Sequence, residues 1–398
     1  MIKYERLEEI INVSKGKKHK PVDIPNTFSK RIIGIADLRD DRNCIFTNDE
    51  FGIEAHERDI LIAWDGANAG TIGYGKSGYI GSTISRLRIT NAHKYNTVFI
   101  GKLIQSKFYY LRKTSTGATI PHISRSALYS IKVPQFELIN QIRIATVLTR
   151  AENLIAKRKE SIKALDELLK STFLEMFGFS TNKYKKWKTE PLISSTEIVS
   201  GVTKGKKYIS NELIEVPYMR VANVQDGHLN LSEIKTIAVT EKEIKQYKLI
   251  KGDLLLTEGG DPDKLGRGAI WNNEISKCIH QNHIFRVRIL DKSINPIFLS
   301  ALIASKYGKG YFLKAAKQTT GIASINSTQL KAFPLIKPPI KLQNQFAVIV
   351  EKVESIKSKY TQSLAELENL YGSLSQRAFR GELDVSRIPA DVHSMERI

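Results

Sequence analysis

From Ser115 to Ile142 the chain reads STGATIPHISRSALYSIKVPQFELINQI, and from Thr319 to Phe346 it reads TTGIASINSTQLKAFPLIKPPIKLQNQF. Both stretches pass from a Thr-Gly turn through an apolar patch to a proline, then to an L-x-N-Q that opens a long helical pattern. The echo reaches further. Lys15-Gly16-Lys17-Lys18 returns as Lys204-Gly205-Lys206-Lys207, and Ile35-Ala36-Asp37-Leu38 as Val221-Ala222-Asn223-Val224. ERDILIAWDG is matched by KGDLLLTEGG with Asp59 and Asp253 in correspondence, and Leu103–Lys107 by Leu302–Lys306. Matches kept in order predict an internal duplication, with a period too long for a solenoid.

Within each repeat the composition changes once. The first part is dense in β-branched and aromatic residues with Gly-rich turns, and DILIAW, TISRLRIT, DLLLT and HIFRVRIL read as strands. A shorter helix is expected after Asn96 and after Asn295, each placed as an N-cap before an apolar run. The last part has helical period. From Leu138 to Phe177 there is no proline or glycine, and Leu148, Ala151, Ile155, Ile162, Leu165, Leu169 and Met176 form a stripe interrupted at Arg158 and Thr172. Its counterpart is Ile349, Val353, Ile356, Tyr360, Leu367, Leu370 and Leu374, interrupted at Ser363. Steps of three and four over several turns are a heptad seam, so each helix is built to pack on another. The alternative, a helix lying on its own globule, is disfavoured because the pattern occurs twice.

Globule–helix–globule–helix closes if the chain reverses. The expectation is therefore α+β: two β-rich globules related by a pseudo-two-fold axis and separated by two long antiparallel coiled-coil helices. Each helix would be about 40 residues, or roughly 60 Å at 1.5 Å per residue. The segments are 1–137, a first globule; 138–178, a first helix; 179–341, a second globule; 342–383, a second helix; and 384–398, a tail that matches no motif.

Charge says where to look for a ligand. The 398 residues carry a net +20. Residues 1–137 hold 21 Lys+Arg against 14 Asp+Glu and residues 179–341 hold 26 against 14, while the helical segments are close to neutral. Basicity confined to the globules is the footprint of a polyanion, most often nucleic acid. The two KGKK runs suit phosphates, which nominates Lys15, Lys17, Lys18, Lys204, Lys206 and Lys207. The loops WDGANAG and TEGGDPDKLGRGA allow close backbone approach and present Asn68, Lys264 and Arg267; Asn pairs well with adenine and Arg with guanine in the major groove. Arg220 completes the candidate DNA contacts. Trp64 and Trp271 read as core.

Other chemistry is poorly served. Gly70–Ser77 fits G-x-x-x-x-G-K-S, yet the following GYIGSTISRLRIT is strand-like, where a phosphate loop needs a helix; a hairpin turn is expected. Asn295-Pro296-Ile297-Phe298 resembles an amino-methyltransferase motif, but Asn96-Thr97-Val98-Phe99 in the other half retains only a helix cap and an apolar residue. Asp261–Asn272 begins like a calcium loop and lacks the closing carboxylate. No Cys/His cluster has metal-ligand spacing, and Cys44 and Cys278 lie far apart, which favours a reducing cytoplasm. No run of 18 apolar residues is present, and the N-terminus lacks a secretory pattern. An enzyme built on the two weak motifs, or a coiled-coil scaffold for acidic proteins, are the rival readings.

TEGGDPDKLGRGAIW, IKVPQFELINQI, IKPPIKLQNQF, FLEMFG and AFRGEL at Ala378–Leu383 together resemble the specificity subunit of type I restriction–modification systems, over residues 1–383. The resemblance implies two target-recognition domains, each reading half of a bipartite site in double-stranded DNA, and paired helices that set the spacer and dock two modification subunits. It implies no catalysis and no cofactor in this chain. Methylation and cleavage, with S-adenosylmethionine, ATP and Mg, would belong to the modification and restriction subunits.

Overall fold

The structure is a computed structural model, and it describes residues 2–39, 43–117, 120–206, 212–260, 265–319 and 322–389. The chain divides into two compact units: Met1–Glu160 with Thr361–Ile398, and Ser161–Tyr360. The division falls inside both long helices, Leu138–Met176 and Ile340–Phe379.

In the first unit, strands β1 (Ile11–Lys15), β2 (Ile60–Ala63), β3 (Ile72–Tyr74) and β4 (Ile84–Ile89) form an antiparallel sheet in the order β1-β4-β2-β3. All four residues of β2 are fully buried. Ile60 and Ile62 enter one core with Phe99 and Leu148, while Leu61 and Ala63 enter a second with Ile33 and Ile80. A strand covered on both faces needs such an unbroken apolar run. A five-stranded sheet of Pro21–Val22, Lys30–Ile33, Ile45–Thr47, Glu54–Ala55 and Gly78–Ile80 supplies the second cover.

The second unit repeats the plan. Strands β5 (Thr196–Ser200), β6 (Leu254–Thr257), β7 (Gly268–Ile270) and β8 (Ile284–Ile289) are ordered β5-β8-β6-β7, again antiparallel. Leu254 and Leu256 face one core and Leu255 another. Each unit carries the expected capped helix. Asn96 Oδ1 accepts from Phe99 N at 3.0 Å before Thr97–Ser106, and Asn295 Oδ1 accepts from Ile297 N at 2.8 Å before Pro296–Ala304.

The long helices run antiparallel within each unit. In the first, Tyr371 Oη donates to Glu152 Oε1 at 2.6 Å and Lys159 meets Glu368 at 2.8 Å. Lys102, fully buried, reaches the other oxygen of Glu152 at 2.6 Å. In the second, Lys357 Nζ donates to Asp166 Oδ1 at 2.5 Å and the Phe173 and Phe346 rings meet at 5.5 Å.

Four sequence readings need correction. First, Lys15 pairs with Ser85 and Ser200 with Phe285, so Lys15 is equivalent to Ser200 and Gly16 to Gly201. The KGKK runs are thus four residues out of register. Both glycines are required by close approach: a Cβ would lie 2.3 Å from Gly81 O at Gly16 and 1.9 Å from His280 O at Gly201. Second, the L-x-N-Q match is displaced by two. Gln141 corresponds to Gln343: each is buried and binds backbone atoms just before its own helix and just before the shorter capped helix. Third, Gly75–Ser77 connects β3 to Gly78–Ile80, which lies in the other sheet and pairs parallel with Lys30–Ile33, so the segment is a crossover and not a hairpin.

The fourth concerns the seam. Leu148 is buried, and Ile155, Ile162, Leu165 and Leu169 are half-buried. On the other helix Val353 is buried and Tyr360, Leu367 and Leu374 are half-buried, but Ile356 and Leu370 are 41% and 51% exposed. Their places are taken by Lys357 and Tyr371, which keep the heptad step from Val353 and Leu367. A search for apolar residues alone passes over side chains that bury a stem and donate at the tip. Beyond the second helix, Val385 packs into the first unit's core.

Candidate nucleic-acid interface

At the end of β2 the chain turns through Trp64–Gly70 and is met by the segment from Thr116 to Ile123. Gly66 N donates to Pro121 O at 2.9 Å, Ile123 N to Trp64 O at 3.0 Å, and Thr116 and His122 exchange backbone bonds of 3.0 and 2.8 Å. The Thr-Gly turn that opens the repeated passage thus lies against the glycine-rich loop. In the second unit the same joint is a small sheet: Gly259–Gly260 pairs with Ile322–Ser324, which pairs with Lys317–Thr319, and Ile325 N donates to Glu258 O at 2.9 Å.

The first of these corners is rich in cations. Lys15 Nζ lies 2.9 Å from Asp65 Oδ2, and His122 Nδ1 lies 2.6 Å from Asp65 Oδ1. Arg39 donates to Asn68 Oδ1 at 2.8 Å and Arg112 to Ala67 O at 2.5 Å. Arg125 lies 5.9 Å above the Trp64 ring. Burial works to raise the pKa of Asp65, but the hydrogen bonds from His122 and Lys15 outweigh it and hold the carboxyl below its ordinary value. One carboxylate among five cationic or imidazole side chains leaves a surface suited to a phosphodiester chain, with Asn68 and His122 as groups of mixed donor and acceptor character.

At the second corner His283 Nδ1 lies 2.6 Å from Glu258 Oε2. Gln281, Asn282 and His283 form a polar turn that packs by backbone onto the chain leading to Lys204: Asn282 N donates to Val202 O at 2.9 Å. Lys309 meets Asp226 at 3.6 Å.

The residues nominated from sequence are placed as follows. Lys15 and Asn68 are brought together at the first corner through Asp65 and its loop. Lys17 and Lys18 are exposed and continue from β1 along Ile80–Gly81, with Lys17 N donating to Ile80 O at 3.2 Å. Lys204 and Lys206 are exposed, Lys206 within 2.7 Å of Glu243. Arg220 is turned into its own unit, donating to Glu233 at 3.1 Å, and its backbone N–H is capped by Asn223. Arg267 is half-buried against Val221 O and Gln225, at 3.5 and 3.4 Å. Lys207 and Lys264 lie outside the described residues, as does the opening of the stretch read as a failed calcium loop, residues 261–264. Trp64 and Trp271 are buried, as expected of core.

Sequence reasoning missed Arg39, Arg112, Arg125, His122 and His283. His122 and His283 stood inside quoted stretches, but single imidazoles have no spacing signature. Among the described residues no group of three His, Cys, Asp or Glu is arranged to hold a metal ion, and no helix is long and apolar enough to cross a membrane.

Comparison with known proteins gives a consistent picture. The description "Type I restriction modification DNA specificity domain" matches residues 2–165 and 185–369. The specificity subunit of the type I restriction enzyme EcoKI from Escherichia coli K12 is 25% identical over 306 residues, covering 72% of this chain and 65% of that protein. The MjaVIII specificity subunit of Methanocaldococcus jannaschii is 27% identical over 284 residues, covering 66% and 64%. These matches therefore span just under two thirds of the relatives' own lengths. Among solved structures, the S subunit of a type I restriction–modification system from M. genitalium superimposes with a TM-score of 0.56 at 16% identity, over 95% of this chain and 96% of that one. At that identity the likeness is one of fold.

Proposed function

The chain belongs to the type I restriction modification DNA specificity family, and on that premise we propose that it recognises DNA, each unit reading one half of a bipartite site. The observation that carries this reading is the repeated corner, where a glycine-rich loop after a buried strand meets the segment that follows the Thr-Gly turn, in the two globules, 1–137 and 179–341, that hold most of the net charge. Phosphate contacts from Lys15, Lys17, Lys18, Lys204 and Lys206 would position the duplex, and side chains at the corners would select bases.

The reading extends to partners. The long helices would dock two modification subunits, and their length would set the number of unread base pairs between half-sites. Methyl transfer and ATP-driven cleavage would lie in the modification and restriction subunits, with S-adenosylmethionine, ATP and Mg bound there, and the chain would act without catalysis of its own in the cytoplasm.

The test is modular exchange. Residues of about 185–335 are replaced by the corresponding segment of another family member, and methylated sites are mapped in a host carrying the complete system. One half-site should change and the other should stay. A coiled-coil scaffold for acidic proteins would instead show no methylation pattern that follows the exchanged segment.

A further inference from the structure

Two imidazoles stand out at the corners. His122 and His283 are 47% and 56% exposed at the side chain, and each places Nδ1 2.6 Å from a carboxylate oxygen, of Asp65 and Glu258 respectively. Asp65 and Glu258 come from neighbouring, not equivalent, positions at the ends of β2 and β6, since Glu258 occupies the place of Trp64: Trp64 N donates to Thr83 O and Glu258 N to His283 O. His122 comes from the repeated passage and His283 from the turn before β8. Different residues thus build the same pair at the same corner of each unit.

An ionised carboxylate has acceptors only, so Nδ1 must carry the hydrogen. A neutral ring then has a bare Nε2 lone pair, and the tautomer is fixed by the partner. Nε2 of either ring has no hydrogen-bond partner among the described residues. A buried histidine with two partners is a structural group. An exposed neutral ring with Nδ1 engaged and Nε2 without a partner among the described residues is a polarised acceptor awaiting a donor. Phosphates present no donor. In the major groove the donors are the exocyclic amino groups, adenine N6 and cytosine N4, while guanine and thymine present acceptors at the corresponding positions.

We propose that His122 and His283 are base-reading residues, each accepting a hydrogen bond at Nε2 from an exocyclic amino group in its own half-site, with Asp65 and Glu258 as the positioning residues that set the tautomer. The inference rests on the DNA-recognition reading above and adds to it the identity of the reader and the chemistry of the base edge. Flanking Gln281 and Asn282 on one side, and Asn68 on the other, offer amides that could complete a bidentate contact to the same base.

The experiment uses the full chain co-produced with its modification subunits, selected against a randomised duplex library at fixed salt. For His283→Ala the expected result is that preference relaxes at one base pair of one half-site, by about tenfold, with binding to non-cognate duplex unchanged. Glu258→Gln should alter preference at that same base pair, because an amide can donate to Nδ1 and move the ring hydrogen to Nε2. His122→Ala and Asp65→Asn should act together on a base pair of the other half-site. Thermal unfolding of each variant confirms that it is folded; the milder Glu258→Gln and Asp65→Asn carry the test if an alanine variant is not. Uniform weakening on all sequences would make these rings phosphate or scaffold groups and overturn the proposal, as would preference that shifts at different base pairs for the two members of a pair. If the unsubstituted complex selected no sequence, the DNA-recognition reading itself would fall.

Discussion

Arg288 clasps Asp253: Nε and Nη2 each donate to one carboxylate oxygen, both at 2.8 Å, and Asp253 is 1% exposed. The first unit repeats the clasp between Arg88 and Asp59, at 2.8 and 2.7 Å. In each case the carboxylate also caps a turn, accepting from Ile250 N or His56 N at 2.8 Å. Donating these hydrogen bonds to the aspartates holds both guanidinium pKa values above the ordinary arginine range. This is a structural pair: each arginine stands in a strand, β4 or β8, and each aspartate directly precedes one, β2 or β6.

Removing the aspartate takes two charge-assisted hydrogen bonds from the guanidinium and the acceptor from a turn N–H. Asp253→Ala should destabilise the second unit by about 3 kcal/mol, and Asp59→Ala the first by a similar amount. Denaturant unfolding of each variant measures this; a loss under about 0.5 kcal/mol would show the pair to be dispensable.

The seam makes a contrast between a buried and an exposed position. Leu148→Ala, at a fully buried position, should cost about 2–4 kcal/mol. Leu370→Ala, at a position half open to solvent, should stay within about 0.5 kcal/mol. Equal losses would mean that Leu370 is covered after all.

His280 is fully buried between the carbonyls of Val199 and Tyr247. Burial depresses its pKa to about 4 from an ordinary 6.5; the Val199 carbonyl opposes this, Arg286 adds to it, and the Tyr247 carbonyl and Asp253 oppose it. The folded unit therefore binds fewer protons than the unfolded chain between these values. Its contribution to stability is complete above about pH 6.5 and is lost progressively as pH falls toward 4. Unfolding midpoints of the native chain and of His280→Gln should diverge in pH dependence within that window, the variant losing less on acidification. Parallel curves would rule the histidine out as the titrating group.

Binding to DNA should weaken steeply with salt, with a slope of roughly −0.9 per phosphate neutralised. Lys204, Lys206 and Lys207 replaced together by Ala should weaken all sequences by similar factors and flatten that slope. An unchanged slope would remove this run from the phosphate contacts.

Lengthening both long helices by seven residues adds two turns, about 10 Å or three base steps. The expected outcome, read by methylation mapping, is a longer unread gap between unchanged half-sites. The same gap in an active complex would show that helix length does not set it.

Much of this architecture could be read in advance because it depends on periodicity. The β2 and β6 runs, the caps Asn96 and Asn295, and both long helices follow from local pattern. Register did not, because lysine runs and glutamines recur by composition as well as by descent; strand pairing and the steric demand at Gly16 and Gly201 separate the true match from the apparent one. The candidate site was legible in part. Its loops announce themselves by glycine, whereas His122 and Arg39 join them only through tertiary contacts that no spacing encodes.

Among the described residues, the buried amides of Gln141 and Gln343 hydrogen-bond only to main chain. Gln141 accepts from Asn96 N and donates to Lys94 O and Phe136 O, and Gln343 accepts from Asn295 N and donates to Ser293 O and Pro338 O. A fastening that engages only peptide groups is blind to the side chains of the globule it fastens. Substitutions in the corner loops therefore leave these two fastenings untouched, whereas substitutions in the core shared with Leu148 do not. A chimera joined beside these glutamines should keep its folding midpoint, and one that loses the amide should not. The joint is a socket of fixed gauge: it holds main chain to the helix whatever side chains the loops beyond it carry.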